Sequence, residues 1–192
     1  RLCEVFDAPP EIIDRPTGEA PALIRGAFVF KQASFTYPGA VVPALSDLNF
    51  SIERGESIGI VGRVGSGKST LLKLCTRLLE LNEGSVELDG VPIDSYALAQ
   101  LRSQIAQVLQ DPFLFGEALA ANISYDDPER ALDLIWDAAD AAALRETVLT
   151  FPEQMSTLVG ERGVTLSGGQ KQRTTLARGL IRNAPVLILD DC

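Results

Sequence analysis

Gly62-Arg63-Val64-Gly65-Ser66-Gly67-Lys68-Ser69 fits the pattern G-x-x-x-x-G-K-[ST]. It stands between the apolar run Ser57-Ile58-Gly59-Ile60-Val61 and a stretch with helical character over about residues 68–79, the context that gives such a match its meaning. Glycines allow backbone angles that turn successive N–H groups inward as an anion nest, and the N-terminus of the following helix closes it. Lys68 places a point charge on terminal phosphates, and the Ser69 hydroxyl offers a ligand to Mg²⁺. The expected phosphate site therefore comprises Gly62, Arg63, Val64, Gly65, Ser66, Gly67, Lys68, Ser69 and Thr70, and its natural occupant is a nucleoside triphosphate.

The flanks extend the same pattern. Residues 57–61 are apolar on both faces, as a central parallel strand requires. Val186-Leu187-Ile188-Leu189 is predicted as a second buried strand, ending in Asp190. Ligands in such folds sit beyond the carboxyl ends of parallel strands, so Asp190 and the Gly62 loop are expected to face one crevice, with the Asp190 carboxylate holding Mg²⁺. Upstream, Phe28 and Phe30 alternate in a strand that stops at Tyr37-Pro38-Gly39, and Leu48, Phe50 and Ile52 alternate in another. Further strands are predicted over 85–89 and 105–109, the latter followed by the Gln110-Asp111-Pro112 break. From 117 to 145 the pattern is mostly helical, with Leu132, Ile135, Trp136 and Ala139 as an apolar stripe facing a core. A last helix is predicted over about 167–182, with Leu176, Leu180 and Ile181 on its apolar side. Strands alternating with helices imply an α/β chain with a largely parallel sheet and a helical insertion between Gln110 and Ser167. Residues 1–26, acidic and broken by Pro9, Pro10, Pro16 and Pro21, form an expected linker.

Composition bounds the chemistry. The chain has 192 residues, 17 Lys+Arg against 26 Asp+Glu, and a formal net charge of −9, so it has no general electrostatic reason to coat nucleic acid. It contains 0 His. That excludes a Ser-His-Asp or Cys-His nucleophile system, a His-ligated metal and a His general base from this chain. Cys3, Cys75 and Cys192 are scattered, which suits small apolar fillers in a reducing compartment and not a disulfide framework. No run approaches the ~18 apolar residues of a membrane span. The chain opens without Met and stops at Asp190-Asp191-Cys192, as a piece of something longer would.

Leu166-Ser167-Gly168-Gly169-Gln170 precedes the helix that holds Lys171, Arg173 and Arg178. Ser167 can cap that helix, and two glycines leave its N–H groups approachable, so a second phosphate-binding terminus is expected there. LSGGQ between the phosphate loop and Asp190 resembles the signature of ATP-binding-cassette (ABC) ATPases. The match covers nearly the whole chain in the order of that family's motifs. The resemblance implies a P-loop NTPase fold, with a RecA-like parallel sheet core, an antiparallel β subdomain and a helical insertion over about 111–182, C-terminally truncated. It makes residues 1–26 a linker from an absent transmembrane domain and 27–192 the ATPase domain, and it implies ATP and Mg²⁺ as cofactors. Tyr37 matches the family's adenine-stacking aromatic. Gln110 matches its Q-loop glutamine, which senses Mg²⁺ and the attacking water and touches the transmembrane part. Ser69, Gln110 and Asp190 become the implied metal group. Ser167, Gly168, Gly169 and Gln170 become the residues that reach a partner's ATP in a head-to-tail dimer.

Between Gln110 and Ser167 there is room for a small helical subdomain but not for a long coiled coil. Gly160-Glu161-Arg162-Gly163 resembles the X-loop of exporters, and Leu114-Phe115 followed by Ala121-Asn122-Ile123 resembles the exporter pattern. The resemblance thus implies an exporter at the cytoplasmic face of a cell membrane, with no nucleic-acid partner. Most active members carry Glu after the Mg²⁺-binding Asp; here Asp191 stands there, implicated as catalytic together with Gln110 and Lys68. The substitution points to a heterodimer with unequal sites. The family's D-loop and switch histidine would lie beyond Cys192, so the isolated segment is expected to bind ATP and hydrolyse little. Two other readings remain open: a soluble ATPase that remodels nucleic acid or ribosomes, and a regulatory subunit that binds ATP without turnover.

Overall fold

A computed structural model describes residues 12–14, 20–160 and 165–190. The chain divides into two compact units, residues 1–104 and 105–192.

The first unit is built on strands β1 (Phe28–Phe35), β2 (Leu45–Ile52), β3 (Glu83–Leu88) and β4 (Val91–Pro92), in the antiparallel order β2-β1-β3-β4. Phe28 pairs with Ile52 on one side and Leu88 on the other, and Phe30 pairs with Phe50 and Val86. This register puts Phe28, Phe30, Ala33 and Phe35 of β1 with Val86 and Leu88 of β3 in the core, and the Phe30 and Phe50 rings stack at 4.5 Å. Helix α1 (Lys68–Cys75) follows the phosphate loop. It stops short of the expected residue 79 because Arg77 takes φ 48°, a left-handed conformation that cannot continue a helix. Helix α2 (Leu98–Ser103) closes the unit.

Cys75 is buried, and burial pushes its thiol up to about 12. It acts as an apolar filler with no thiolate at neutral pH; Cys3 and Cys192 lie outside the described residues. Tyr96 is fully buried and donates from Oη to the Leu88 carbonyl at 2.8 Å. Burial first, and the Asp89 charge second, raise it to about 12.

The predicted central strand over 57–61 does not form. Ile58 and Ile60 are 43% and 39% exposed and Val61 is 97% exposed, and the segment joins no ladder. A strand that is apolar on both faces needs a neighbour on each side and cover on each face. Within its unit the four strands pair only with one another.

In the second unit, strands β5 (Ile105–Val108) and β6 (Val186–Leu189) form a parallel pair with Ile105 opposite Val186 and Val108 opposite Leu189. Ile188 is buried, but Leu187 and Leu189 are 41% and 49% exposed. The fully buried strand expected there is therefore half-covered: side chains alternate between the two faces of the sheet, and the face that carries Leu187 and Leu189 is less covered than the one that carries Ile188. Helices α3 (Leu119–Ile123), α4 (Leu132–Ala141), α5 (Arg145–Leu149) and α6 (Gly168–Leu180) surround a core of Leu119, Ile123, Ile135, Ala139, Val148 and Ala177, among others. Leu132, expected in the core stripe, is 55% exposed. It is the first residue of α4, and a helical Cβ tilts toward the N-terminus, away from the packed turns. Ile135 and Ala139 are buried as expected, and Trp136 lies part-buried against that core with the Arg145 guanidinium 5.1 Å above its ring. Gly179 of α6 approaches β5 so closely that an added Cβ would stand 2.7 Å from Val108 Cγ2.

Candidate nucleotide site

The phosphate loop is exposed, and its shape follows from two left-handed glycines, Gly65 at φ 80° and Gly67 at φ 87°. Between them Ser66 N donates to the Arg63 carbonyl at 3.1 Å, closing a turn. Gly67 is also the N-cap of α1, and its carbonyl accepts from Leu71 N at 2.9 Å. Lys68, the first residue of α1, donates from Nζ to the carbonyls of Gly62 (2.9 Å) and Arg63 (3.0 Å). A positive charge thus rests on two neutral acceptors of its own loop. An incoming phosphate offers it a charged acceptor instead, which is the stronger partner.

A Cβ on Gly67 would run into the Ala44 carbonyl oxygen and stand 2.8 Å from Leu45 Cδ2, whereas one on Gly65 would meet nothing within 4 Å. Both positions carry the left-handed penalty of about 1–2 kcal/mol for an L side chain. Gly67→Ala is therefore expected to lower the unfolding temperature more than Gly65→Ala, and to weaken ATP binding more. Thermal unfolding and ATP titration of the two variants side by side check this, and equal effects would contradict the Ala44 contact.

Tyr37 lies beside this loop. Its Oη and Thr70 Oγ1 are 3.1 Å apart, and its ring stands edge-on to Phe35 at 4.8 Å. Tyr37 is 38% exposed, which leaves surface for a stacked base. Thr70 itself is buried, so the hydroxyl pair ties Tyr37 to α1.

In the second unit the parallel register brings Gln110 and Asp190 to one end of the β5–β6 pair, since Val108 lies opposite Leu189 and Asp190 N donates to the Val108 carbonyl at 3.0 Å. Asp191 lies outside the described residues, as do Glu161, Arg162 and Gly163 of the X-loop match. At the start of α6, Ser167 and Gln170 form a reciprocal capping box. Gln170 N donates to Ser167 Oγ at 3.3 Å, and Ser167 N donates to Gln170 Oε1 at 2.8 Å. Both side chains therefore serve their own helix. A Cβ on Gly168 would meet nothing within 4 Å, and one on Gly169 only Arg173 Nη1 at 3.8 Å, so the backbone at the first turn is open to approach.

Arg178 lies in the last turn of this helix, away from its N-terminus. Its guanidinium donates to the Asn122 carbonyl (2.6 Å), to Asn122 Oδ1 (3.0 Å) and to the Phe113 carbonyl (2.9 Å). It also lies 5.8 Å from the Phe115 ring and 6.0 Å from Tyr125. Burial holds it below the usual arginine range, against the opposing pull of Tyr125. Asn122, wholly buried, accepts from Phe115 N at 2.9 Å and donates to the carbonyls of Phe115 (3.1 Å) and Ala118 (3.2 Å). The two residues pin the segment after Gln110 onto α3 and α6. Their pairing spans 56 residues of sequence separation, and sequence reasoning missed it.

A mixed α/β ATPase domain with an antiparallel β subdomain is thus combined with a phosphate loop and a capped signature helix. The chain belongs to the ABC transporter family, whose model matches residues 45–192. It is similar to the ATP-dependent lipid A-core flippase of Pseudomonas fluorescens, 46% identical over 192 residues and covering 99% of this chain and 31% of that protein. The heavy metal tolerance protein of Schizosaccharomyces pombe is 37% identical over 191 residues, covering 100% of this chain and 23% of that one. A solved bacterial Atm1-family ABC exporter with ATP bound superposes with a TM-score of 0.91 at 33% identity, covering 98% of this chain and 33% of the other. The chain spans about a third or less of the length of these proteins.

Proposed function

We propose that this chain is the ATP-binding and ATP-hydrolysing domain of an exporter, working at the cytoplasmic face of a cell membrane and driving transport through a transmembrane domain of the same protein. The observation that carries the proposal is the resting contact of Lys68 Nζ with Gly62 and Arg63 at the first turn of α1, a cation held at a nest of glycines where phosphates bind. Tyr37 stacks on the adenine, and residues 62–70 cradle the phosphates. Ser69, Gln110 and Asp190 offer a hydroxyl, an amide oxygen and a carboxylate, the hard donors that Mg²⁺ takes in small number beside substrate phosphates. Among the described residues no cluster of three or more His, Cys, Asp or Glu suits a different metal. Mg²⁺, when bound, neutralises charge gathering on the phosphates. No helix of the described residues is long and apolar enough to cross a membrane.

The first-turn backbone of α6 then serves an ATP held by a second ABC half in a head-to-tail dimer, with N–H donors aimed where charge develops. Asp191 is one methylene shorter than the glutamate most active members carry, a difference in reach of about 1 Å. A misplacement of that size costs on the order of 100-fold in rate. The partner half is therefore a different subunit that supplies the faster site. The experiment is ATP hydrolysis by the full-length protein without a second subunit. Slow turnover that Asp191→Glu raises on the order of 100-fold is the expected result. Brisk turnover by the unaltered protein, abolished in Asp191→Asn, would make Asp191 an ordinary catalytic carboxylate and the partner a second copy.

A further inference from the structure

The C-terminal end of α1 is held between two guanidinium groups. Arg77, two residues past the helix, is 3% exposed and strained at φ 48°, a backbone state that a long side chain keeps only where its surroundings over-determine it. It donates to the Tyr96 carbonyl at 3.1 Å, to Glu80 Oε1 at 2.9 Å, and at 3.4 Å to the carbonyls of Asp94 and Ile13. Its Nε finds no acceptor among the described residues. Arg102 of α2 reaches back the other way, to the carbonyls of Thr76 (3.2 Å) and Arg77 (2.7 Å). A helix leaves its last carbonyls unsatisfied, so Arg102 takes up acceptors at the end of α1 while Arg77 holds the chain that enters α2. The two helices are locked in both directions.

Helix α2 is in turn the anchorage of the N-terminal segment. Leu98 N, its first amide, donates to Asp14 Oδ1 at 3.0 Å. Gln100 Nε2 donates to the Pro21 carbonyl at 2.6 Å, and Gln104, just past α2, accepts from Ile24 N (2.8 Å) and donates to the Ala22 carbonyl (2.9 Å). A continuous run of contacts therefore leads from Lys68 at one end of α1, through Arg77 at the other, to α2 and to Asp14. Helix α1 runs unbroken for 8 residues between Lys68 and Cys75, two residues before Arg77.

We propose that Arg77 is a positioning residue that links ATP occupancy of the phosphate loop to docking of the N-terminal segment on α2. The proposal rests on the ATP-binding reading given above. ATP tightens the Asp14–Leu98 contact, and by thermodynamic reciprocity the docked segment raises ATP affinity by the same factor.

The test uses the full-length protein with ATP as the probe. Hydrogen exchange of the peptide containing Leu98 is measured with and without ATP, and ATP affinity is measured for Asp14→Ala, Arg77→Lys and the double variant. Lysine keeps the charge and stem of Arg77 but not the planar fork that serves several carbonyls at once. ATP is expected to slow exchange at Leu98 about fivefold, and Asp14→Ala to weaken ATP binding by about the same factor. In the Arg77→Lys background both effects vanish, so the double variant binds ATP no more weakly than Arg77→Lys alone. Effects of the two substitutions that multiply would overturn the inference. So would ATP binding that leaves exchange at Leu98 unchanged, a comparison in unaltered protein that stands even if Arg77→Lys does not fold. Absence of ATP binding by the unaltered protein would instead overturn the site reading along with it.

Discussion

Lys68→Ala is expected to weaken ATP binding roughly 10- to 150-fold, the equivalent of removing one hydrogen bond to a charged group worth about 1.5–3 kcal/mol. Nothing else in residues 62–70 replaces that charge at the first turn of α1; Arg63 lies on the exposed part of the loop, before the turn closed by Ser66 N. The fold is expected to survive, because among the described residues Lys68 donates its hydrogen bonds to the Gly62 and Arg63 carbonyls, and both lie at the exposed loop where water takes its place. Calorimetric titration with ATP and thermal unfolding of the same samples separate the two effects. Full affinity in the variant would remove the phosphate site. A second variant, Lys68→Arg, is expected to recover little: the guanidinium is a planar fork, whereas the nest calls for a compact point charge.

Asn122→Ala is expected to give the largest loss of stability, about 3 kcal/mol, through the buried Phe115 N–H it leaves without an acceptor and the Arg178 guanidinium it leaves short of one. In a chain of this size that corresponds to a fall of roughly 6–12 °C in unfolding temperature. Arg178→Ala is expected to fall in the same range, since it frees the carbonyls of Phe113 and Asn122 and removes the cation beside Phe115 and Tyr125. The double variant should lose much less than the two losses combined, because the residues share partners. Asn122→Asp keeps the acceptor and loses the amide donors, so it should lie between the parent and Asn122→Ala. Thermal unfolding of the parent and the four variants decides the matter, and simple additivity would mean that the two side chains act independently.

The phosphate loop was legible because everything it needs is local. The signs of φ at Gly65 and Gly67, the helix that begins at Lys68 and the reach of that lysine back to its loop are settled within a few residues. The capping box of Ser167 and Gln170 was legible in part for the same reason: Ser167 was identified as the cap, and the reciprocal bond from Gln170 follows from their spacing. Alternation in β1 marked Phe28 and Phe30 correctly as one buried face.

By itself, then, the sequence determined the shape of the glycine loop and the positions of the strands that alternate, each from residues close together along the chain, and it determined the family through the order of its motifs. Only the tertiary structure decided what depends on distant partners. Residues 57–61 carry the composition of a central strand, yet a strand exists only where another chain segment completes its ladder, and no pattern within five residues states whether one does. Arg77 and Arg178 look like ordinary helix-surface cations in the sequence. Their roles were set by carbonyls that the fold delivers: Tyr96 and Ile13 to the first, Phe113 and Asn122 to the second. A backbone carbonyl is present at every residue and has no sequence signature, so which carbonyls a buried guanidinium collects is a property of the folded chain alone.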